Sequence, residues 1–399
     1  MKPQRKKTTP KLTTYIIVAA LFVTVALTYY RFIRSHHLPA NKKDVAIGGG
    51  GDNESCDLYS GEWVENPEGP YYTNETCWTI QEHQNCMKYG RPDRDFLKWK
   101  WKPNECNLPL FDPLYFLEMM RGKSLAFVGD SVSRNHMQSL LCLLSRVAYP
   151  NDVSKTDDHN FKQYEYPEYN FNISIFWSPF LVNTEKRQDA TQPFELYLDE
   201  FDQSWTSEIK NFNYVIISAG HWFLRPTMFY SDRKVIGCLY CSDTTIRHRS
   251  VTFGYRRAWR TAFRAINSLK NYKEVVFFRS FAPSHFEGGT WDNGGNCIRT
   301  KPSTSKESVL ADINLEMYKS QLQEYKIAEH EARKKGVKLR LMDMTKVMQM
   351  RPDGHPSKYG HAPDQQVEMP NDCVHWCLPG PIDTWNDFMM ELIKREEDY

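Results

Sequence analysis

Two short stretches of this sequence carry residue types suited to acyl chemistry. One is Gly129-Asp130-Ser131; the other is Asp372-Cys373-Val374-His375-Trp376-Cys377. A serine hydroxyl is a poor nucleophile until a base takes its proton, and an imidazole serves as that base when a carboxylate orients it. Asp372 and His375 supply such a pair, three residues apart in a loop that flanking cysteines could hold rigid. Ser131 then reads as nucleophile, His375 as base and Asp372 as the orienting acid. Each stretch alone has a plainer reading. Ser131 or Ser133 could be a helix N-cap, and a D-x-x-H could be incidental in a cysteine-rich loop. Asp130, although adjacent to the serine, is the less suitable triad acid once Asp372 is available. A rival base, His355, lies in Arg351-Pro352-Asp353-Gly354-His355-Pro356-Ser357. The prolines make that segment a stiff turn, which suits Asp353 and His355 to positioning or substrate contact. A zinc set could be assembled from Cys238-x-x-Cys241 with Cys373, His375 and Cys377. With one C-x-x-C and an oxidising compartment, disulfides are favoured and no metal is expected.

The serine needs an element to present it. Leu125 to Val128 is a short apolar run without period, as in a buried parallel strand. Gly129 permits a sharp bend, and Arg134 to Arg146 carries Met137, Leu140, Leu141 and Leu144 at helical spacing. Ser131 therefore falls at the carboxyl end of a strand and near a helix N-terminus, where open α/β sheets place their sites and where free N–H groups suit an oxyanion. Tyr214 to Gly220 is a second such strand; Gly220 could offer an N–H to the oxyanion, and His221 and Trp222 would stand beside Ser131. A third strand, Val275 to Phe278, brings Arg279 to the same edge. It is followed by the Gly- and Asn-rich stretch Ser280 to Cys297, which contains His285 and reads as a sugar-binding loop or an ordinary one. Asn172 to Trp177, Phe194 to Leu198 and Val337 to Met342 read as further strands. Val251 to Leu269, Ser308 to Lys335 and Asp383 to Arg395 read as helices. This alternation predicts an α/β fold of three layers, a mostly parallel sheet covered on both faces. Neither G-x-G-x-x-G nor G-x-x-x-x-G-K-[ST] occurs.

The chain has 399 residues and a net charge of +2, which gives no electrostatic case for nucleic acid. Aromatic content is 14%, with 11 Trp and 22 Tyr, rings that fill cores and also stack on sugar faces. Residues 13–30 form an uncharged apolar segment preceded by Lys2, Arg5, Lys6, Lys7 and Lys11. It reads as an uncleaved membrane anchor, with residues 1–12 cytoplasmic and the remainder lumenal. Ten cysteines and three N-x-S/T sequons, at Asn53, Asn74 and Asn172, agree with that topology. Residues 31–55 read as a stem and 56–109 as a loop-rich, Cys-rich segment too small for a large core. That segment is expected to wrap onto the α/β domain of residues 110–399.

The motifs, taken in order, resemble the plant trichome birefringence-like family of polysaccharide O-acetyltransferases. They are Gly129-Asp130-Ser131, Gly220-His221-Trp222, Ser284-His285-Phe286-Glu287 with Gly294-Gly295-Asn296-Cys297, Asp353-Gly354-His355-Pro356-Ser357 and the segment from Asp372 to Gly380. The resemblance covers about residue 55 to the C-terminus. It implies a GDSL/SGNH-esterase-like domain behind a Golgi signal anchor, in a single-pass type II arrangement. It also implies that Ser131, His375 and Asp372 transfer acetyl groups to wall-polysaccharide hydroxyls through an acetyl-serine. By similarity the disulfides are Cys56–Cys106, Cys77–Cys142, Cys86–Cys377 and Cys297–Cys373, leaving Cys238 to pair with Cys241. Tyr71-Tyr72-Thr73-Asn74 and the stretch from Gln81 to Asp93 look like the xyloglucan-acetylating subgroup, with mannan or xylan as alternatives. No G-x-N-D block is present to supply an oxyanion asparagine. No bound cofactor is expected; an acetyl donor, acetyl-CoA-derived in one reading, would reach the lumen through Golgi acetyl-supply proteins. A hydrolytic acetylesterase would use the same three residues, and a silent glycan-binding protein would not need them intact.

Overall fold

In the computed structural model, residues 56–397 are described, apart from 186–188, 190, 366 and 368. The expected anchor at 13–30, the residues before it, the stem and Asn53 lie outside the described residues. No helix among the described residues is long and apolar enough to cross a membrane. In chain order the strands are β1 (Gly61–Glu65), β2 (Trp99–Pro103), β3 (Ser124–Gly129), β4 (Asn151–Asp152), β5 (Gln163–Tyr166), β6 (Phe171–Trp177), β7 (Val182–Glu185), β8 (Phe194–Phe201), β9 (Tyr214–Ser218), β10 (Thr227–Ser231), β11 (Lys234–Leu239), β12 (Val275–Arg279) and β13 (Lys338–Met342). The helices are α1 (Pro113–Met119), α2 (Ser131–Leu144), α3 (Gln203–Thr206), α4 (Val251–Asn267), α5 (Asp312–Lys335), α6 (Thr345–Gln349) and α7 (Thr384–Glu397).

The central sheet has seven strands in the order β13-β12-β9-β3-β6-β5-β4. The five from β13 to β6 run parallel, while β5 and β4 are antiparallel additions at one edge. The expected mostly parallel sheet is therefore mixed. Its antiparallel edge comes from the polar stretch 150–168, where short connections without a crossover helix permit only antiparallel pairing. A second sheet, β11-β10-β8-β7, joins a hairpin that apolar patterning alone does not announce. Along β3, Leu125 and Phe127 enter one core with α2 and α7, and Ala126 and Val128 enter the other with α4 and α5. All four are fully buried, which is why the run shows no period. Burying a side chain the size of Phe127 contributes roughly 1.5–3 kcal/mol.

Within the parallel set β3 comes first in sequence and lies between β6 and β9. Strand order reverses there, and the carboxyl ends of β3 and β9 open the crevice where doubly wound sheets bind ligands. The Cys-rich segment shares the core instead of forming its own. Trp63 and Trp101 of the antiparallel β1–β2 pair join Trp376 and Phe388 in one cluster. The Trp63 indole N–H donates to the Val347 carbonyl (2.9 Å) and the Tyr59 hydroxyl to that of Leu341 (3.0 Å). An isolated two-stranded sheet is marginal in water, so this docking and the disulfides hold the pair in place. All five expected disulfides are formed, including Cys86–Cys377 and Cys238–Cys241. Of the sequons, Asn74 lies in a turn and Asn172 within β6, both half-buried.

Candidate active site

Ser131 is the first residue of α2, three positions earlier than the apolar periodicity suggests, because Asp130 caps the helix. Gly129 reaches this turn at φ 148°, and a Cβ there would collide with the Ser218 carbonyl of β9. Asp130 Oδ1 accepts the Val132 N–H (3.0 Å), and Oδ2 accepts the Gly220 N–H (2.9 Å). Asp130 thus ties the ends of β3 and β9 together. This corrects the expectation for Gly220: its N–H is taken by a carboxylate and is no oxyanion donor. The Ser131 N–H, at the first helical position, has no intrahelical acceptor.

The Ser131 hydroxyl donates to His375 Nε2 (2.6 Å), and His375 Nδ1–H donates to Asp372 Oδ2 (2.7 Å). Asp372 Oδ1 accepts the N–H groups of Val374 (3.0 Å) and His375 (2.9 Å), so the carboxylate shapes its own loop. Asn135, one turn along α2, clamps the neighbouring residue: Oδ1 accepts the Trp376 N–H (2.8 Å) and Nδ2 donates to the Trp376 carbonyl (3.3 Å). Reciprocal backbone bonds join Asp372 to Ser357 (2.9 and 3.0 Å). Cys297–Cys373 and Cys86–Cys377 bracket the whole loop.

Electrostatics suit this order of proton transfer. Burial opposes charge on His375, but the Asp372 carboxylate outweighs it and raises the imidazole above its ordinary value. Burial likewise opposes charge on Asp372, and its charge and hydrogen-bond interactions with His375 hold it well below the usual range.

Ser131 and His375 open on a cleft of about 820 Å³. Of the other expected residues, His221, Trp222 and His285 line it. The remaining three stand behind it. Arg279 is buried against Trp385 (4.3 Å from the ring centroid), and burial pushes it down to about 10. Asp353 forms a fully buried bidentate pair with Arg351 (2.8 and 3.0 Å). His355 Nδ1–H donates to the His375 carbonyl (2.7 Å), and its ring stacks on Trp376 (4.1 Å). His355 props the loop, and none of the three lines the cleft. His285 joins them from the cleft side, with Nδ1 2.7 Å from His355 Nε2.

Three cleft residues escaped notice in the sequence. Arg134 lies three residues from Ser131 on the same face of α2, a spacing that could have revealed it. Its guanidinium lies over Trp177 (5.1 Å), donates to Asn160 (2.8 Å) and leaves Nε unpartnered among the described residues. Trp177, at the end of β6, meets Trp222 edge to face (5.3 Å). His83 arrives from the Cys-rich segment against His375, and burial pushes it down to about 4. No local signal marks it.

Comparison with known proteins accords with this arrangement. Residues 108–392 match the GDSL/SGNH-like acyl-esterase family found in Pmr5 and Cas1p, and residues 54–107 match the PMR5 N-terminal domain. The chain is 57% identical to Protein trichome birefringence-like 19 of Arabidopsis thaliana, over 87% of this chain and 82% of that one. It is 40% identical to Xyloglucan O-acetyltransferase 4 of Populus trichocarpa (95% and 90% covered) and 42% identical to Xyloglucan O-acetyltransferase 1 of Arabidopsis thaliana (86% and 82%). The chain belongs to the trichome birefringence-like family of polysaccharide O-acetyltransferases, built on a GDSL/SGNH-like esterase domain.

Proposed function

We propose that this enzyme acetylates hydroxyls of xyloglucan in the Golgi lumen, anchored by residues 13–30, with Ser131 as nucleophile, His375 as base and Asp372 as orienting acid. The observation that carries the reading is the hydrogen-bond chain from Ser131 through His375 to Asp372 at the mouth of the cleft. Ser131 Oγ attacks the donor's acetyl carbon while His375 Nε2 takes the serine proton. Collapse expels the donor's leaving group, which receives that proton, and leaves acetyl-Ser131. A sugar hydroxyl then enters, loses its proton to His375 and attacks the acetyl carbon; Ser131 departs and regains the proton. The Ser131 N–H and the Arg134 guanidinium are the donors suited to the oxyanion in both steps. Trp177 and Trp222, which line the cleft, offer apolar surface to a sugar chain.

Xyloglucan is favoured by the relatives named for it at 40–42% identity and by the stretch from Gln81 to Asp93, which lies beside the cleft through His83. The acetyl donor is a separate substrate, delivered to the lumen by other membrane proteins. Incubation with an acetyl donor and xyloglucan, mannan or xylan oligosaccharides, followed by mass spectrometry, tests the reading. Acetyl transfer preferring xyloglucan supports it. Preference for mannan or xylan overturns the acceptor, and release of acetate without transfer identifies a hydrolase.

A further inference from the structure

His83 is the only histidine between residues 56 and 109, and the fold delivers it to the catalytic pair. Its ring meets that of His375 edge to face, with centroids 4.8 Å apart and planes at 73°. One ligand atom each from His83, His375 and Asp372 lie within 4.8 Å of one another. The placement is enforced from both sides: the Leu378 N–H donates to the Gln84 carbonyl (2.9 Å), and Cys86–Cys377 joins the two segments. All three side chains line the cleft, so a further coordination position is open to water.

Two imidazoles and one carboxylate form a donor set for zinc and its neighbours in the transition series, and a poor one for magnesium or calcium. Zinc bonds of about 2.0–2.2 Å require donors closer together than 4.8 Å. Rotation of His83 can supply the closure, because its ring makes one hydrogen bond among the described residues, from Gln84 Nε2 (3.3 Å). We propose that His83, His375 and Asp372 form an inhibitory site for a divalent transition-metal ion, with zinc as the fitting occupant. Inhibition follows from the hydrogen bonds. His375 Nδ1 is committed to Asp372 and Nε2 to Ser131. An ion that keeps Asp372 as a ligand binds His375 through Nδ1; it displaces the Nδ1–H bond to Asp372 and leaves the ring proton on Nε2, which then cannot accept the Ser131 proton, so bound metal and acyl transfer exclude each other. The inhibitory half rests on the triad reading; the binding half does not.

The test uses the full-length chain and reads binding separately from turnover. CoCl2 should give the intense visible absorption of four-coordinate Co2+, displaced by ZnCl2 and unaffected by millimolar MgCl2. The band should vanish in His83→Gln and persist in His248→Ala, which removes the histidine beside the Cys238–Cys241 disulfide. In the acetyl-transfer assay, ZnCl2 should inhibit the wild type, and EDTA should restore it. Measured against its own EDTA-treated rate, His83→Gln should need at least about tenfold more ZnCl2 for half-inhibition. A Co2+ spectrum or a zinc sensitivity unchanged by His83→Gln overturns the proposal. If that variant does not fold, the wild type decides: zinc must slow fluorophosphonate labelling of Ser131, and absence of protection sinks the idea. A His83-dependent Co2+ spectrum in an enzyme that never forms an acyl-serine supports the binding site and removes the triad reading.

Discussion

Ser131 and His375 sit 2.6 Å apart, yet the molecule positions them by different means. Ser131 stands where regular structure puts it, on a buried strand that turns through a glycine into a capped helix. Its turn is set by the adjacent Gly129 and Asp130, on a strand that regular pairing with β6 and β9 holds in place. His375 stands in a loop whose shape comes from distant segments. Cys86, Cys297 and Ser357 grip the loop directly. Arg91 reaches the carbonyls of Asp353 (2.5 Å) and His355 (2.8 Å) behind it. Ser131 needs a sheet; His375 needs the Cys-rich segment as well. That segment therefore forms part of the scaffold of the candidate site.

Perturbing the base side should cost most. Asp372→Asn removes the charge that orients His375 and should lower kcat by about 10⁴-fold with the fold intact by circular dichroism. With neutral His375 as the proposed base, the wild-type rate should rise with pH through a value above 6.5. In Asp372→Asn that limb should move to lower pH. The same pair contributes to stability, with opposite signs. The raised His375 value stabilises fully below 6.5 and its contribution is lost as pH rises through the folded value. The lowered Asp372 value stabilises above 3.8 and its contribution is lost as pH falls through the folded value.

Next comes the disulfide between the two regions. Cys86–Cys377 closes a separation of 291 residues and Cys238–Cys241 one of 3. Replacing the first pair by serine should cost about 2–5 kcal/mol in denaturant unfolding, and replacing the second about 2 kcal/mol or less. Equal costs would contradict the long-range role given to Cys86.

Asn135→Ala should cost about 1–3 kcal/mol, because it strands the buried N–H and carbonyl of Trp376. It should lower kcat more than it raises KM, since the base moves while the cleft stays. A similar stability effect is expected on the nucleophile side. Asp130→Ala removes a helix cap and strands the buried Gly220 N–H, and should cost about 1–3 kcal/mol in thermal unfolding. A loss well under about 1 kcal/mol there would contradict the tie between β3 and β9.

What the sequence disclosed follows the same division. β3, β9 and β12 were legible because strands buried on both faces leave continuous apolar runs. Ser131 and the Asp372–His375 pair were legible because each is a local pattern. The β4–β5 edge and the β10–β11 hairpin were not, since partly exposed strands such as Lys234–Leu239 mix polar and apolar residues. Asp130's hold on Gly220, Asn135's clamp on Trp376 and the approach of His83 to His375 are pairings across about 90 to nearly 300 positions. Spacing carries no trace of such pairings. Arg279 and Asp353 show the same limit: spacing does not tell whether a charge near a site motif faces the cleft or is buried against a partner.

The central claim is that Ser131 carries the acetyl group between donor and acceptor. Wild-type enzyme should be mixed with an acetyl donor, without polysaccharide, quenched in acid and digested for peptide mass spectrometry. One acetyl group should sit on Ser131, disappear when xyloglucan oligosaccharide is added and be absent in Ser131→Ala. An unmodified Ser131 under conditions that support transfer, or full transfer activity in Ser131→Ala, would contradict it.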